Sequence, residues 1–289
     1  MGAQTTNLSP ASNRVARARA KRSACTSCGA TLTWRENIPL FSWLLQRGRC
    51  RSCKTPISWR YPLVEAVTAG LFLLTAYLTG PEPSGLLFAR WAVLAGLVVA
   101  TFVDFEFFEI PDQISIGGMF LAPVAAFLVP ELHDSTSLAR IMTDAAVLEA
   151  SGVDRVASVA ACFAGMAVGG GILIGISQLG KLIYRRDAMG FGDVKLLAAA
   201  GGFIGPGGAL VALLVASFGA SIAGLVNLGR YFCILRSRAR TRGNGRSIGQ
   251  SLASARIAAR YLPFGPYLGL GIGVVLLAWK NVVEHLFRL

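Results

Sequence analysis

Long apolar runs dominate this chain, near residues 63–78, 86–103, 114–129, 156–184, 193–228 and 262–279. A bilayer core takes about 20 helical residues to cross, and in lipid every backbone polar group must be satisfied within its own segment. Repeated runs of this length leave α-helices as the form the chain can take. Composition agrees. The 289 residues are 54% hydrophobic and 15% charged, whereas about a quarter of a soluble domain is charged. The expected fold class is an all-α polytopic membrane protein, with about seven transmembrane helices and a small cytoplasmic zinc-binding segment.

The formal charge of +13 raises the question of nucleic acid, and the placement of the charges answers it. Eleven Lys/Arg fall within residues 1–62, three close the run ending near Tyr184 (Lys181, Arg185, Arg186), and eight lie in 230–260. Cytoplasmic loops carry an excess of Lys and Arg. All three clusters reach the cytoplasmic side if the 193–228 run crosses twice, as two short spans joined at Gly205-Pro206-Gly207-Gly208. The total is then seven spans. The positive charge belongs to the membrane face and the lipid bilayer, and no nucleic-acid partner is expected. Residues 131–155 hold Glu131, Asp134, Asp144, Glu149 and Asp154 and read as an acidic external loop.

Two aspartates stand at the edges of these runs. Asp193 follows Met189-Gly190-Phe191-Gly192 and enters the fifth run, and Asp104 ends the second. An acid at the centre of a membrane helix costs roughly 2.5–3.5 kcal/mol on insertion scales, so such groups usually have a task. Gly190 and Gly192 leave room for another chain to approach the carboxylate. In the seven-span topology Asp104 ends a descending span and Asp193 begins a rising one. Both carboxylates then lie at the cytoplasmic boundary. Two carboxylates that meet share a proton, and the pair can act as base and acid together. Helix capping by both, or a proton or cation pathway, is the alternative reading of the same two residues.

Ahead of the spans, residues 1–24 read as a disordered basic leader with no apolar core, neither a cleavable signal peptide nor a span. Cys25-Thr-Ser-Cys28 and Cys50-Arg-Ser-Cys53 follow, two C-x-x-C pairs 21 residues apart. Four thiolates so spaced suit tetrahedral Zn²⁺, which would fold the segment 25–62 that is too small for its own core; disulfides or unpaired thiols are the alternative. Cys162 and Cys233 read as small apolar side chains. Trp34, Ile38, Phe41, Trp43 and Leu44 suit a segment lying on the membrane surface. The remainder, 63–289, reads as one transmembrane domain.

The combination resembles the bacterial type IV prepilin peptidases, membrane aspartyl proteases of the GxGD class. The resemblance is carried by the Cys25–Cys53 knuckles with Asn37-Ile-Pro-Leu-Phe and Arg60-Tyr-Pro-Leu-Val-Glu65, by Val103-Asp-Phe-Glu106 with Ile110-Pro-Asp112, by Met189-Gly-Phe-Gly-Asp-Val-Lys-Leu-Leu197, and by Leu262-Pro-Phe-Gly-Pro266. It implies that Asp104 and Asp193 are the catalytic pair. It also implies a prepilin or pseudopilin substrate, whose short basic leader ends in Gly and precedes a hydrophobic helix. Glu106, Glu109 and Asp112 are placed to attract that leader, and Gly190 and Gly192 to admit it. Many members then methylate the new N-terminus with S-adenosylmethionine. They usually open with a further span bearing a Gly-Ser-Phe-Leu-Asn-like stretch, where this chain has its basic leader; the departure bears on methylation and leaves the proteolytic residues intact. A transporter using the two aspartates as an ion site is the competing class, and it should show an internal repeat of spans, which the sequence lacks.

Overall fold

The computed structural model describes residues 23–80, 82–134, 155–185, 190–241 and 263–287. The leader to residue 22, the acidic loop past Asp134 and the basic stretch past Thr241 lie outside the described residues. The chain divides into two compact units, 1–70 and 71–289. The division falls inside the helix Arg60–Thr79, a few residues beyond the boundary read from sequence.

In the first unit, each C-x-x-C pair lies in a tight turn. The Cys25 N–H donates to the Ala30 carbonyl and the Gly29 N–H to the Cys25 carbonyl, both at 2.9 Å. The second pair repeats this, with Cys50 donating to Thr55 and Lys54 to Cys50, again at 2.9 Å. The residue after each pair, Gly29 or Lys54, has positive φ (69° and 58°) and returns the chain to isolated bridges, Ala24 to Thr31 and Arg49 to Pro56. Between the turns lie a 3₁₀ turn, Trp34–Asn37, and α1, Phe41–Leu45. The Trp43 indole N–H donates to the Ile57 carbonyl at 3.2 Å, and the Glu65 carboxylate accepts the Leu40 N–H at 2.8 Å.

The helices that follow are α2 (Arg60–Thr79), α3 (Gly85–Phe107), α4 (Asp112–Leu128), the short α5 (Glu131–Asp134), α6 (Arg155–Tyr184), α7 (Phe191–Thr241) and α8 (Gly265–Phe287). Among the described residues four helices are long and apolar enough to cross a membrane, and α4 and α8 add shorter apolar helices. The protein is an all-α polytopic membrane protein.

The longest helix is two helices. Gly205 breaks α7 with φ 70° and ψ 176°, a conformation open to glycine, and Pro206 has no N–H with which to continue the ladder. Neighbouring contacts show that the chain reverses there. Gly85 lies against Val129 and Gly96 against Ile114, so α3 and α4 are antiparallel. Gly118 meets Ala199 and Gly202 meets Ala122, so the arm 191–204 (α7a) runs parallel to α4. Gly265 meets Asp104 and Gly269 meets Thr101, which makes α8 antiparallel to α3 and parallel to α7a. Finally, Gly271 packs on Ala212 and Gly208 on Val275, so the arm after Pro206 (α7b) opposes α8, and therefore opposes α7a. The reversal at Gly205–Gly208 that the charges required is thus the observed path. The apolar helical segments are α2, α3, α4, α6, α7a, α7b and α8, seven among the described residues.

α7a is the centre of the second unit. From Asp193 to Gly205 every residue except Lys195 is buried. Small side chains permit this: Gly165 of α6 and Gly201 of α7a bring their backbones so close that a Cβ on either would strike the other's carbonyl, the close approach that small residues give membrane helices. At about 1.5 Å per residue α7a is about 20 Å long, less than the ~30 Å of a bilayer core. Its far end therefore lies inside the protein, where its last carbonyls need partners.

One partner is His133. The segment expected to open the acidic loop instead forms α5, which buries Leu132 and His133. The Gly202 carbonyl would ordinarily accept the N–H four residues on, at Pro206, which has none. His133 Nε2 lies 3.0 Å from that oxygen. A carbonyl only accepts, so Nε2 carries the proton, and in the neutral ring Nδ1 accepts from the Ser158 hydroxyl at 2.8 Å. Burial pushes the imidazole below its ordinary pKa, which favours this neutral form. His133→Ala leaves two buried polar groups unpaired and should cost about 1–3 kcal/mol of stability. In His133→Gln an amide N–H can still reach Gly202, and part of the loss should return. Thermal unfolding in detergent compares the three proteins, and equal melting of wild type and His133→Ala would remove α5 from this supporting role.

Candidate active site

Asp104 lies in the last turn of α3. Its carbonyl accepts the Phe108 N–H at 3.0 Å, and Phe108, in the left-handed region at φ 56°, ends the helix. The chain needs only Glu109, Ile110 and Pro111 to turn before α4 starts at Asp112. Asp193 stands in the first turn of α7a, and Gly265 opens α8. One end of the bundle thus gathers the end of α3 and the starts of α4, α7a and α8.

A cavity of about 710 Å³ opens there, and both Asp104 and Asp193 line it. Each is buried, with 6% and 9% of its surface exposed. The Gly265 backbone lies against the Asp104 carboxylate, and Asp104 Oδ2 has no hydrogen-bond partner. The remaining wall includes Glu109, Asp112, Gly190 and Gly192, so the sequence-predicted residues come together from three helices, with Glu106 outside the lining. Gly192 makes room for Ile110, and Gly190 leaves the Asp193 carboxylate uncovered.

Two further residues at the site stand within runs that carry the resemblance but were given no role of their own. Lys195 also lines the cavity; its ammonium pairs with Asp112 and lies 5.4 Å from the centre of the Phe191 ring. Its signal was present, a single cation inside an apolar run. Gly265 is the other. A Cβ there would fall on Asp104 Oδ2, so this position keeps the carboxylate where it is; the Leu262–Pro266 run marks the glycine without showing what it touches.

The four cysteines of the first unit form a separate cluster. Their Sγ atoms all lie within 4.8 Å of one another, an arrangement that could hold a metal ion, and none is in a disulfide. A tetrahedron with Zn–S of about 2.3 Å has S–S edges of about 3.8 Å; Cys25 and Cys53 stand 3.8 Å apart. The four thiols differ: at Cys28 the Ala30 N–H is outweighed by the neighbouring thiols, which push it up to about 11. The Thr55 hydroxyl, 3.2 Å from Cys53 Sγ, helps bring that thiol down to about 6, and the Cys28 and Ser27 N–H groups lower Cys25.

The fold and cavity define a membrane protein with two buried carboxylates lining one cavity at one end of the bundle. Comparison with known proteins gives the class. The type IV leader peptidase family matches residues 91–225, and the bacterial peptidase A24 N-terminal domain matches 8–79. A prepilin leader peptidase/N-methyltransferase of Aeromonas hydrophila is 30% identical over 274 residues, 91% of this chain and 73% of the relative. A type 4 prepilin-like proteins leader peptide-processing enzyme of Escherichia coli O78:H11 is 32% identical over 253 residues, 86% of this chain and 73% of the relative. No solved structure matches the chain. The chain belongs to the prepilin leader peptidase family, and it is an enzyme of the peptidase class.

Gly265→Ala should displace the Asp104 carboxylate while leaving helix content unchanged. Misplacing a reacting group by about 1 Å can cost on the order of 10²-fold in rate, and a loss of that order is expected. Peptidase kinetics and circular dichroism on the same preparation check it; unchanged kinetics would mean that Asp104 is not held by this contact.

Proposed function

We propose that this protein is a membrane aspartyl endopeptidase that removes the short basic leader of prepilins or pseudopilins at the cytoplasmic membrane boundary, with Asp104 and Asp193 as its catalytic pair. The observation that carries the reading is that two buried carboxylates, from helices distant in sequence, line one cavity. The family membership supports the substrate, since the relatives are named for prepilin leader processing. The distribution of Lys and Arg supports a cytoplasmic position for the cavity and for the Cys segment, in the bacterial inner membrane.

The chemistry follows from a shared proton. A carboxylate takes a proton from water as the water attacks the scissile carbonyl, while its protonated partner donates to the carbonyl oxygen and the proton later passes to the leaving amine. Asp104 Oδ2, buried and without a partner, is free to hold that water. The Gly265 backbone packs against the same carboxylate. Glu109, on the cavity wall, and Glu106 nearby draw the basic leader. Asp112 contributes less charge because Lys195 is paired with it. Gly190 and Gly192 keep the Asp193 side open to a backbone.

Cys25, Cys28, Cys50 and Cys53 would hold Zn²⁺, which supplies structure to a unit of few buried residues. The relatives' second activity would make S-adenosylmethionine a cosubstrate, with the new N-terminus as methyl acceptor.

Asp104→Asn and Asp193→Asn should each abolish leader removal from a prepilin reconstituted in membranes, with the helices intact. Cleavage by either variant would end the aspartyl mechanism.

The catalytic residues all belong to the 71–289 unit. A double Cys25→Ser, Cys28→Ser variant should therefore lose its metal and any methylation yet keep cleavage. Metal analysis, with leader removal and N-terminal mass followed separately by mass spectrometry, tests this division. Cleavage that falls with the metal while the protein stays inserted would give the Cys segment a part in presenting substrate.

A further inference from the structure

A second cavity, of about 410 Å³, lies between α3, α4 and α7a. Its walls include Ala92 and Gly96 of α3, Gln113 and Gly117 of α4, and Leu196 and Ala199 of α7a. Apart from Gln113 these are apolar or lack a side chain, and Ala92, Gln113 and Gly117 are exposed. The cavity is a groove open along the side of the bundle.

Its position relative to the carboxylates is specific. Asp112 and Lys195 line the catalytic cavity, and the next residue on each helix, Gln113 and Leu196, lines the groove. α4 and α7a run parallel, so both carry the groove in the same direction, away from Asp104 and Asp193 and into the apolar layer. A chain cut at the bundle end must leave the carboxylates by two routes. One passes the acidic residues Glu109 and Asp112. The other runs down this groove, which is polar only where Gln113 meets the catalytic cavity.

We propose that the groove is the docking subsite for the apolar helix that follows the scissile bond of the substrate. The reading rests on Asp104 and Asp193 being the proteolytic pair and assigns the recognition of the membrane-embedded part. Helices in lipid gain little from apolar contact as such and associate through close packing at small residues. Ala92, Gly96, Gly117 and Ala199 supply such a surface. The groove thereby sets which bond reaches the carboxylates, because a helix seated in it fixes the depth of the residues before it. Remote binding of this kind can be spent on positioning at the reacting centre.

Gly117 gives the cleanest test, since a Cβ built there meets nothing within 4 Å. Position 117 therefore has room for a Cβ, and Gly117→Leu, its fold checked by unchanged circular dichroism and melting, should fill the groove. Gly171→Leu on α6, equally open and outside the groove, is the control. The full chain in proteoliposomes is given two substrates: a prepilin-type polypeptide with its whole apolar helix, and the same polypeptide truncated a few residues past the scissile bond. Wild type should favour the longer one. In Gly117→Leu that preference should fall about tenfold, chiefly through KM, the signature of lost binding shared by ground and transition states. Gly171→Leu should keep it. A photoreactive side chain at position 117 should crosslink to the substrate helix within its first turns after the cleavage site. An undiminished preference in Gly117→Leu, or crosslinks to lipid alone, would overturn the subsite. If wild type cleaves neither substrate, the proteolytic reading itself falls, and the subsite with it.

Discussion

The structure depends on enclosing one short helix. α7a is built from Gly, Ala and a few large apolar side chains, and nearly every residue from Asp193 to Gly205 is buried. Such a segment has no face it can give to water, and in lipid it is too short to cross. The solution is to wrap it, with α4 running beside it and α6 packed on it backbone to backbone at Gly165 and Gly201. Close packing of this kind tolerates almost no sliding, since each glycine holds a neighbour's carbonyl or side chain. The position of Asp193 along the bundle is thus set by the fit of residues well removed from it.

That rigidity bears on the chemistry. Bringing two carboxylates into one buried cavity is unfavourable unless a proton is shared, and the helices that carry them would separate if they could. Asp104 comes from α3 and Asp193 from α7a, and the packing of α4 and α8 on both holds the site together. The tight Phe108–Pro111 connection ties the end of α3 to the start of α4. The α8 start sets the Gly265 backbone against Asp104. At the opposite end of α7a, the bond from His133 compensates the N–H that Pro206 cannot supply. Both ends of the arm are therefore accounted for by contacts between segments distant in sequence.

This explains what was legible in the sequence. The spans were, because a bilayer demands long apolar runs. The reversal at Gly205 was, through the arginines after Leu228 that had to lie on the charged side. Asp104, Asp193 and the cysteines stood out because their chemistry is costly or their spacing specific. Gly265, His133 and Gly201 did not, since each matters through one partner tens of residues or more away, and a glycine in a membrane helix looks the same wherever it packs. Helix faces were also unreadable. Where lipid is as apolar as the interior, the periodicity that marks the buried side of a soluble helix disappears. Lys195 was readable in principle as a lone cation in an apolar run, but its pairing with Asp112 depends on α4 lying parallel to α7a.

The first unit obeys different rules. Between residues 23 and 70 only Gly48 and Cys50 are buried, while Trp34, Phe41, Leu44, Leu45 and Trp59 are largely exposed. Apolar burial cannot be what orders this segment, because too little of it occurs. Order comes instead from the two hydrogen-bonded knuckles, which bring four thiols to where they could hold a metal ion. Lys54 shows the tension. It occupies the left-handed position that Gly29 fills in the first knuckle, at a cost an L-residue avoids elsewhere. Bringing Cys50 and Cys53 to face Cys25 and Cys28 supplies the compensation, since one ion held by four thiolates can contribute about 10–16 kcal/mol of folding free energy. The exposed aromatics, interleaved with Arg47, Arg49 and Arg51, then suit an anionic membrane surface, where such rings and cations are both favoured. A metal held by the four thiols would order the knuckles, and a membrane surface could take up the apolar surface that they leave uncovered.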